Sequence, residues 1–126
     1  MLINLSHHPS ADWPEEQKRA TEPYGEVSDL PFPKVDPEAD AGEVAVLSRQ
    51  HLDQCAELLE EASGQNSAVH IMGEMTFVYQ FVRQAVDLGL VCLASTTRRA
   101  VDWDDSGDKI SRFEFVRFRA YMDMKS

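Results

Sequence analysis

Three features of the chain predict an α/β fold, a mainly parallel sheet flanked by helices and closed by a C-terminal β-hairpin. Short apolar runs alternate with stretches of helical period along most of the chain. The apolar runs at 68–72 and 90–96 are nearly unbroken, which suits strands buried on both faces of a parallel sheet. The last part of the chain changes character, to two strand-like stretches around a polar turn. At 126 residues the chain forms one domain, 1–126, with a modest core.

Taken in order, "LINLS" (2–6) is a first strand ending at the polar cluster Ser6-His7-His8-Pro9. "SADWPEEQKRA" (10–20) starts a helix, because Pro14 is tolerated in a first turn and Glu15 and Glu16 complement the positive end of the dipole. "GEVSDLPFP" (25–33) is a second strand closed by prolines, and "KVDPEADAG" (34–42) is a turn-rich connection. Val44, Leu47, Leu52, Cys55, Leu58, Leu59 and Ala62 make 41–63 the longest amphipathic helix, broken by "SGQNS". "AVHIM" (68–72) is the third strand. From Glu74, the positions Met75, Val78, Phe81, Val82 and Ala85 keep a period of 3.6, and "DLG" (87–89) stops that helix. "LVCLAST" (90–96) is the fourth strand. "TTRRAVDW" and "ISRFEFVRFRAY" are two strands around "DDSGDK". The order is β-α-β-α-β-α-β followed by the hairpin.

Composition narrows the function classes. The net charge of −10 argues against a general binder of duplex nucleic acid, which needs a basic footprint. The acid is uneven: residues 1–64 hold 14 Asp and Glu against 4 Lys and Arg, while residues 65–126 hold 8 of each. The second half therefore has arginines to offer a small anion. No apolar run reaches the roughly 18–20 residues that cross a bilayer, and "MLINLSHHPS" lacks the marks of a signal peptide. Cys55 and Cys92 lie on apolar faces without metal-type spacing, as reduced core residues of a cytoplasmic protein do.

Ligands of open α/β sheets sit beyond the carboxyl ends of the strands. Those ends carry Ser6, His7 and His8; Asp29; Gly73, Glu74 and Thr76; and Ser95, Thr96, Thr97, Arg98 and Arg99. Gly73 ahead of a helix offers free amides and a positive dipole end to a phosphate, or is a plain turn whose Glu74 complements the dipole. "STTRR" supplies hydroxyls and guanidiniums for phosphate oxygens, or is a β-branched strand running into solvated arginines. Adjacent His7 and His8 point to opposite faces of a strand and do not readily share one metal ion. His51 reads as a surface or packing residue, and His70 as a core histidine. The aromatics and arginines of "FEFVRFRAY" could stack bases, but in so acidic a chain an edge strand or dimer surface is the expected use.

The stretch Ser6-x-His8-Pro9-x-x-x-Trp13, the Gly73 turn and the hydroxyl-rich end of the fourth strand resemble small CRISPR-associated accessory proteins of the Csx type, with a compact CARF-like Rossmann core. The likeness spans most of the chain in element order, and the Ser-x-His-Pro-x-x-x-Trp stretch is its one strict motif. The resemblance implies a homodimer that binds cyclic oligoadenylate, the messenger of type III CRISPR defence, and a ring-nuclease activity that cuts it without metal or cofactor. The resemblance carries over Ser6, His8, Gly73 and the run Ser95–Arg98 as residues that contact or act on the ligand. With Glu74 kept from the strand ends as an orienting or proton-handling residue, His8, Ser6, Arg98 and Glu74 are the expected catalytic set. His7, Gly73, Met75, Thr76, Ser95, Thr96, Thr97 and Arg99 are the expected ligand contacts. The alternatives are a non-catalytic sensor or sponge for the messenger, and an interaction module that docks residues 10–64 on a basic partner.

Overall fold

The structure is a computed structural model that describes residues 1–62 and 66–122. The chain follows the order β1 (Leu2–Ser6), α1 (Glu15–Ala20), β2 (Val27–Pro31), α2 (Ala41–Glu61), β3 (Ala68–Ile71), α3 (Met75–Asp87), β4 (Cys92–Trp103) and β5 (Lys109–Ala120). Short 3₁₀ turns at Ser10–Asp12 and Glu22–Tyr24 flank α1. The five strands form one mixed sheet in the order β2-β1-β3-β4-β5. The first four are parallel, and β5 runs antiparallel to β4.

Strand β1 lies inside the sheet between β2 and β3, paired on both edges, and all five residues of "LINLS" are buried. Its alternation sorts the two faces. Ile3 and Leu5, with Val69, Ile71 and Cys92, pack beneath α2 and α3 against Leu52, Cys55, Phe77 and Phe81. Leu2, Ala68 and Leu93 turn to the other face, where Trp13 ahead of α1 covers them with Phe118. Helix α2 begins at Asp40, whose carboxylate accepts the Glu43 amide at 2.8 Å. Helix α3 ends at Asp87, and Gly89 just beyond its C-cap has a φ of +78°, the left-handed turn that glycine adopts without strain. The expected helix over 10–20 shortens to Glu15–Ala20, because Pro9 and Pro14 break the stretch before it into a separate 3₁₀ turn. Of the expected "SGQNS" break, residues 63–65 lie outside the described residues.

The largest difference from the sequence expectation concerns the fourth strand. It does not stop at Thr96 but continues to Trp103, and the same strand forms the first half of the antiparallel pair with β5. Only Cys92 and Leu93 pair with β3. Everything beyond is a two-stranded arm roughly 30 Å long, at about 3.3 Å per residue. The arm carries a register shift between Thr96 and Thr97, and Asp104 closes its turn by accepting the amides of Ser106 and Asp108. Isolated apolar runs such as "LVCLAST" carry no information about where pairing with a neighbour ends, so the expected hairpin is present but its continuity with the fourth strand was invisible to periodicity.

Candidate ligand site at the carboxyl edge of the sheet

Register places the strand ends side by side. Asn4 pairs with His70 and His70 with Leu93, so Ser6, Met72 and Ser95 fall in one row two residues further on. With strands about 4.8 Å apart, Ser6 and Ser95 are separated by roughly 10 Å. The Ser95 hydroxyl donates to the Met72 Sδ at 2.9 Å. A thioether is a weak acceptor, so this hydroxyl can turn to a better one. His8 lies just past the row and is exposed, as is His7, whose ring sits 4.8 Å from that of Phe32.

Directly beneath the row lies a buried polar network. Asn4 is 1% exposed, and both ends of its amide are used. Its Nδ2 donates to the His8 carbonyl at 2.8 Å and to the Asp29 carboxylate at 2.9 Å. Its Oδ1 accepts from Ser6 Oγ at 2.8 Å and from His70 Nδ1 at 2.9 Å. An acceptor at Oδ1 requires the proton of neutral His70 to be on Nδ1, leaving a lone pair on Nε2. That Nε2 is buried and has no hydrogen-bond partner among the described residues. The rings of Trp13 and Phe118 lie 5.2 and 5.5 Å from the imidazole. Burial pushes the His70 pKa down to about 4, and the nearby His8 adds to the shift. Asp29 in turn accepts the Ser10 amide and hydroxyl.

The network gives the Ser-x-His-Pro-x-x-x-Trp stretch a physical reason. Ser6 and the His8 backbone hold Asn4, and Trp13 roofs His70. Ser6 is 9% exposed, and its hydroxyl is engaged with Asn4 and the His8 amide, so it serves the network first. Asp29, expected at the end of the second strand, sits in its middle opposite Asn4. The sequence did contain a signal for the network. Asn4 and His70 are polar residues at paired positions in otherwise apolar strands, and such residues need partners.

The Gly73 turn differs from its expected use. The Glu74 carboxylate accepts the Thr76 amide at 3.1 Å and the Phe77 amide at 2.8 Å, and it also takes the Thr76 hydroxyl. The amides expected to receive a phosphate are therefore capped from within the chain. These bonds, that of the Thr76 hydroxyl foremost, hold the Glu74 carboxyl below its usual range. A Cβ on Gly73 would meet the Phe32 ring at 2.3 Å, so the glycine is explained by close packing. Met75, 83% exposed, lines a groove of about 740 Å³ that opens beside Gly73 between α3 and Tyr121.

Thr97, Arg98 and Arg99, expected at a strand end, stand instead on the arm. Successive residues of a strand face opposite ways, so the two arginines separate. Arg99 shares the face of Ser95 and Thr97, and its guanidinium donates to Ser111 Oγ at 3.0 Å. Arg98 pairs across from Glu114 on the other face, beside the Arg112 ion pairs to Asp102 and Glu114. Thr96 donates its hydroxyl to the Arg117 carbonyl.

The edge thus carries His8 past the end of β1 and Ser95 at the start of the arm, two strands away, above a buried histidine that the edge itself covers. Among the described residues no group of His, Cys, Asp and Glu is arranged to hold a metal ion. Cys55 and Cys92 are buried free thiols, pushed up to about 12 by burial. Among the described residues no helix is long and apolar enough to cross a membrane. No curated protein and no solved structure matches the chain. A family model does, over residues 1–119, and by it the chain belongs to the uncharacterized protein MJ1673 family.

Proposed function

We propose that a pair of these chains, each a CARF-like Rossmann domain, binds cyclic oligoadenylate at the carboxyl edge of the sheet and cuts it without metal. The observation that carries this reading is the row of Ser6, Met72 and Ser95 in register, with His8 just beyond and the arm leading away from Ser95. An RNA ring brings its own nucleophile. The ribose 2′-oxygen attacks the adjacent phosphorus, and the bond to the 5′-oxygen breaks. The products are a 2′,3′-cyclic phosphate and a 5′-hydroxyl. His8 takes the proton of the 2′-hydroxyl, and the departing 5′-oxygen picks up a proton from the site or solvent. Ser95 and Thr97 offer hydroxyl donors to the phosphate oxygens on which charge builds. Arg98 and Glu74 move out of the catalytic set, the first by the face it occupies and the second by its cap. The groove beside Gly73 suits a purine base.

The test is incubation with cyclic tri-, tetra- and hexa-adenylate in EDTA, resolving linear products. His8→Ala is expected to slow cleavage by roughly 10²–10⁴ while retaining binding. Absence of binding and cleavage for every ring size overturns the proposal. The engaged state of Ser6 and Glu74 favours one second reading, a sensor or sponge that holds the ring intact. For it the outcome is binding without turnover, with His8→Ala changing affinity alone.

A further inference from the structure

The β4–β5 arm is exposed apolar surface of a kind that a two-stranded ribbon does not sustain by itself. Pairing and alternation assign its residues to two faces. One face holds Arg98, Ala100 and Asp102 opposite Glu114, Arg112 and Ile110, and its two carboxylates are both engaged by Arg112 within the arm. The other holds Thr97, Arg99, Val101 and Trp103 opposite Phe115, Phe113, Ser111 and Lys109. On this second face Trp103 is 69% and Phe113 72% exposed, beside two cations and with no carboxylate among the residues described there. An aromatic and cationic surface of this kind calls for an acidic partner with some apolar surface of its own.

The same chain carries one. Residues 11–26, around α1, hold Asp12, Glu15, Glu16, Glu22 and Glu26 against Lys18 and Arg19. All five acids are exposed, as is Pro23, with the half-buried Tyr24 beside them. This region lies on the same side of the sheet as the second face of the arm, since Trp13 and Phe118 meet over that side. Two copies brought together by those sides can therefore place each arm on the α1 region of the other about a single twofold axis, which closes the assembly at two chains.

We propose that the arm is an assembly arm, whose aromatic and cationic face docks reciprocally on the acidic α1 region of a second copy. The inference takes from the proposed function only that two chains associate. No nucleotide takes part in it, so its test is made without nucleotide and leaves the cleavage assay independent.

The test is sedimentation equilibrium of the full chain over a wide concentration range, with circular dichroism to establish that each variant is folded. Wild type is expected to reach twice the 14.2 kDa chain mass. Phe113→Glu and Trp103→Glu are each expected to raise the dissociation constant at least tenfold. Arg99→Glu is expected to weaken the pair, and Glu15→Arg with Glu16→Arg to restore it in the same chain. Acrylamide quenching of Trp103, read as wild type minus Trp103→Phe, is expected to fall as protein concentration rises. A wild type monomeric up to several hundred micromolar overturns the proposal. So does a dimer that Phe113→Glu and Trp103→Glu leave unchanged. Binding of single-stranded RNA by a chain that stays monomeric assigns the face to bases instead and overturns it too.

Discussion

At the scale of the residue, the deciding position is His70. It is 2% exposed, donates from Nδ1 to Asn4 and leaves Nε2 without a hydrogen bond among the described residues. A buried imidazole held neutral has its folded pKa, about 4, below the ordinary value of 6.5. As pH falls below 6.5 the unfolded chain takes up a proton that the folded chain refuses, so folding loses free energy. The loss grows down to about pH 4 and amounts to about 2 kcal/mol between pH 7.5 and pH 5. Urea unfolding at those two pH values measures it. His70→Gln removes this titration, so the variant is expected to be less stable at pH 7.5 and to lose about 2 kcal/mol less on acidification. Equal pH slopes for the two proteins would show that His70 does not carry the effect. A core histidine is readable at this position from the sequence, but its orphan nitrogen is not, because Trp13 and Asn4 reach it only through the fold.

At the scale of the element, α3 shows how one residue type serves two ends. A carboxylate at Glu74 complements the dipole of a helix start, and it also satisfies the Thr76 and Phe77 amides. Both uses oppose a phosphate there. Glu74→Ala is expected to lower the thermal midpoint at neutral pH without abolishing cleavage. Because the folded carboxyl sits below its unfolded value, the stabilisation is present above about pH 4.5 and fades as pH falls through the folded pKa. Wild type and variant melting curves should therefore converge at low pH. A rate loss as deep as that of His8→Ala would return Glu74 to the chemistry. The helices and parallel strands were visible because each repeats a period against one core. The hairpin was visible too, but not its fusion with the fourth strand, since the turn at Asp104–Asp108 marks a hairpin without saying where its first strand begins. The same blindness put Arg98 and Arg99 at one strand end, when alternation along a longer strand divides them.

At the scale of the whole molecule, charge sets two opposed responses to salt. The chain carries a net −10, concentrated in residues 1–64, and such self-repulsion weakens a compact state. Salt shortens the reach of that repulsion, to about 8 Å at 0.15 M. A chain kept monomeric by Phe113→Glu is therefore expected to melt at higher temperature in 0.5 M sodium chloride than in 0.02 M. The docking of Arg99 and Lys109 on Glu15, Glu16 and their neighbours relies on attraction that the same salt removes. The wild-type pair is thus expected to dissociate more readily as salt rises, while its aromatic contacts keep some association. Melting of the Phe113→Glu chain and sedimentation of wild type, made across one salt series, separate the two effects. Both quantities falling with salt would mean that attraction within one chain outweighs its repulsion. Both rising would mean that the arms meet through apolar surface with the acidic regions facing each other. Opposite signs are what a domain with an acidic body and a cationic arm should give, because the charge that strains one copy is the charge that holds the other.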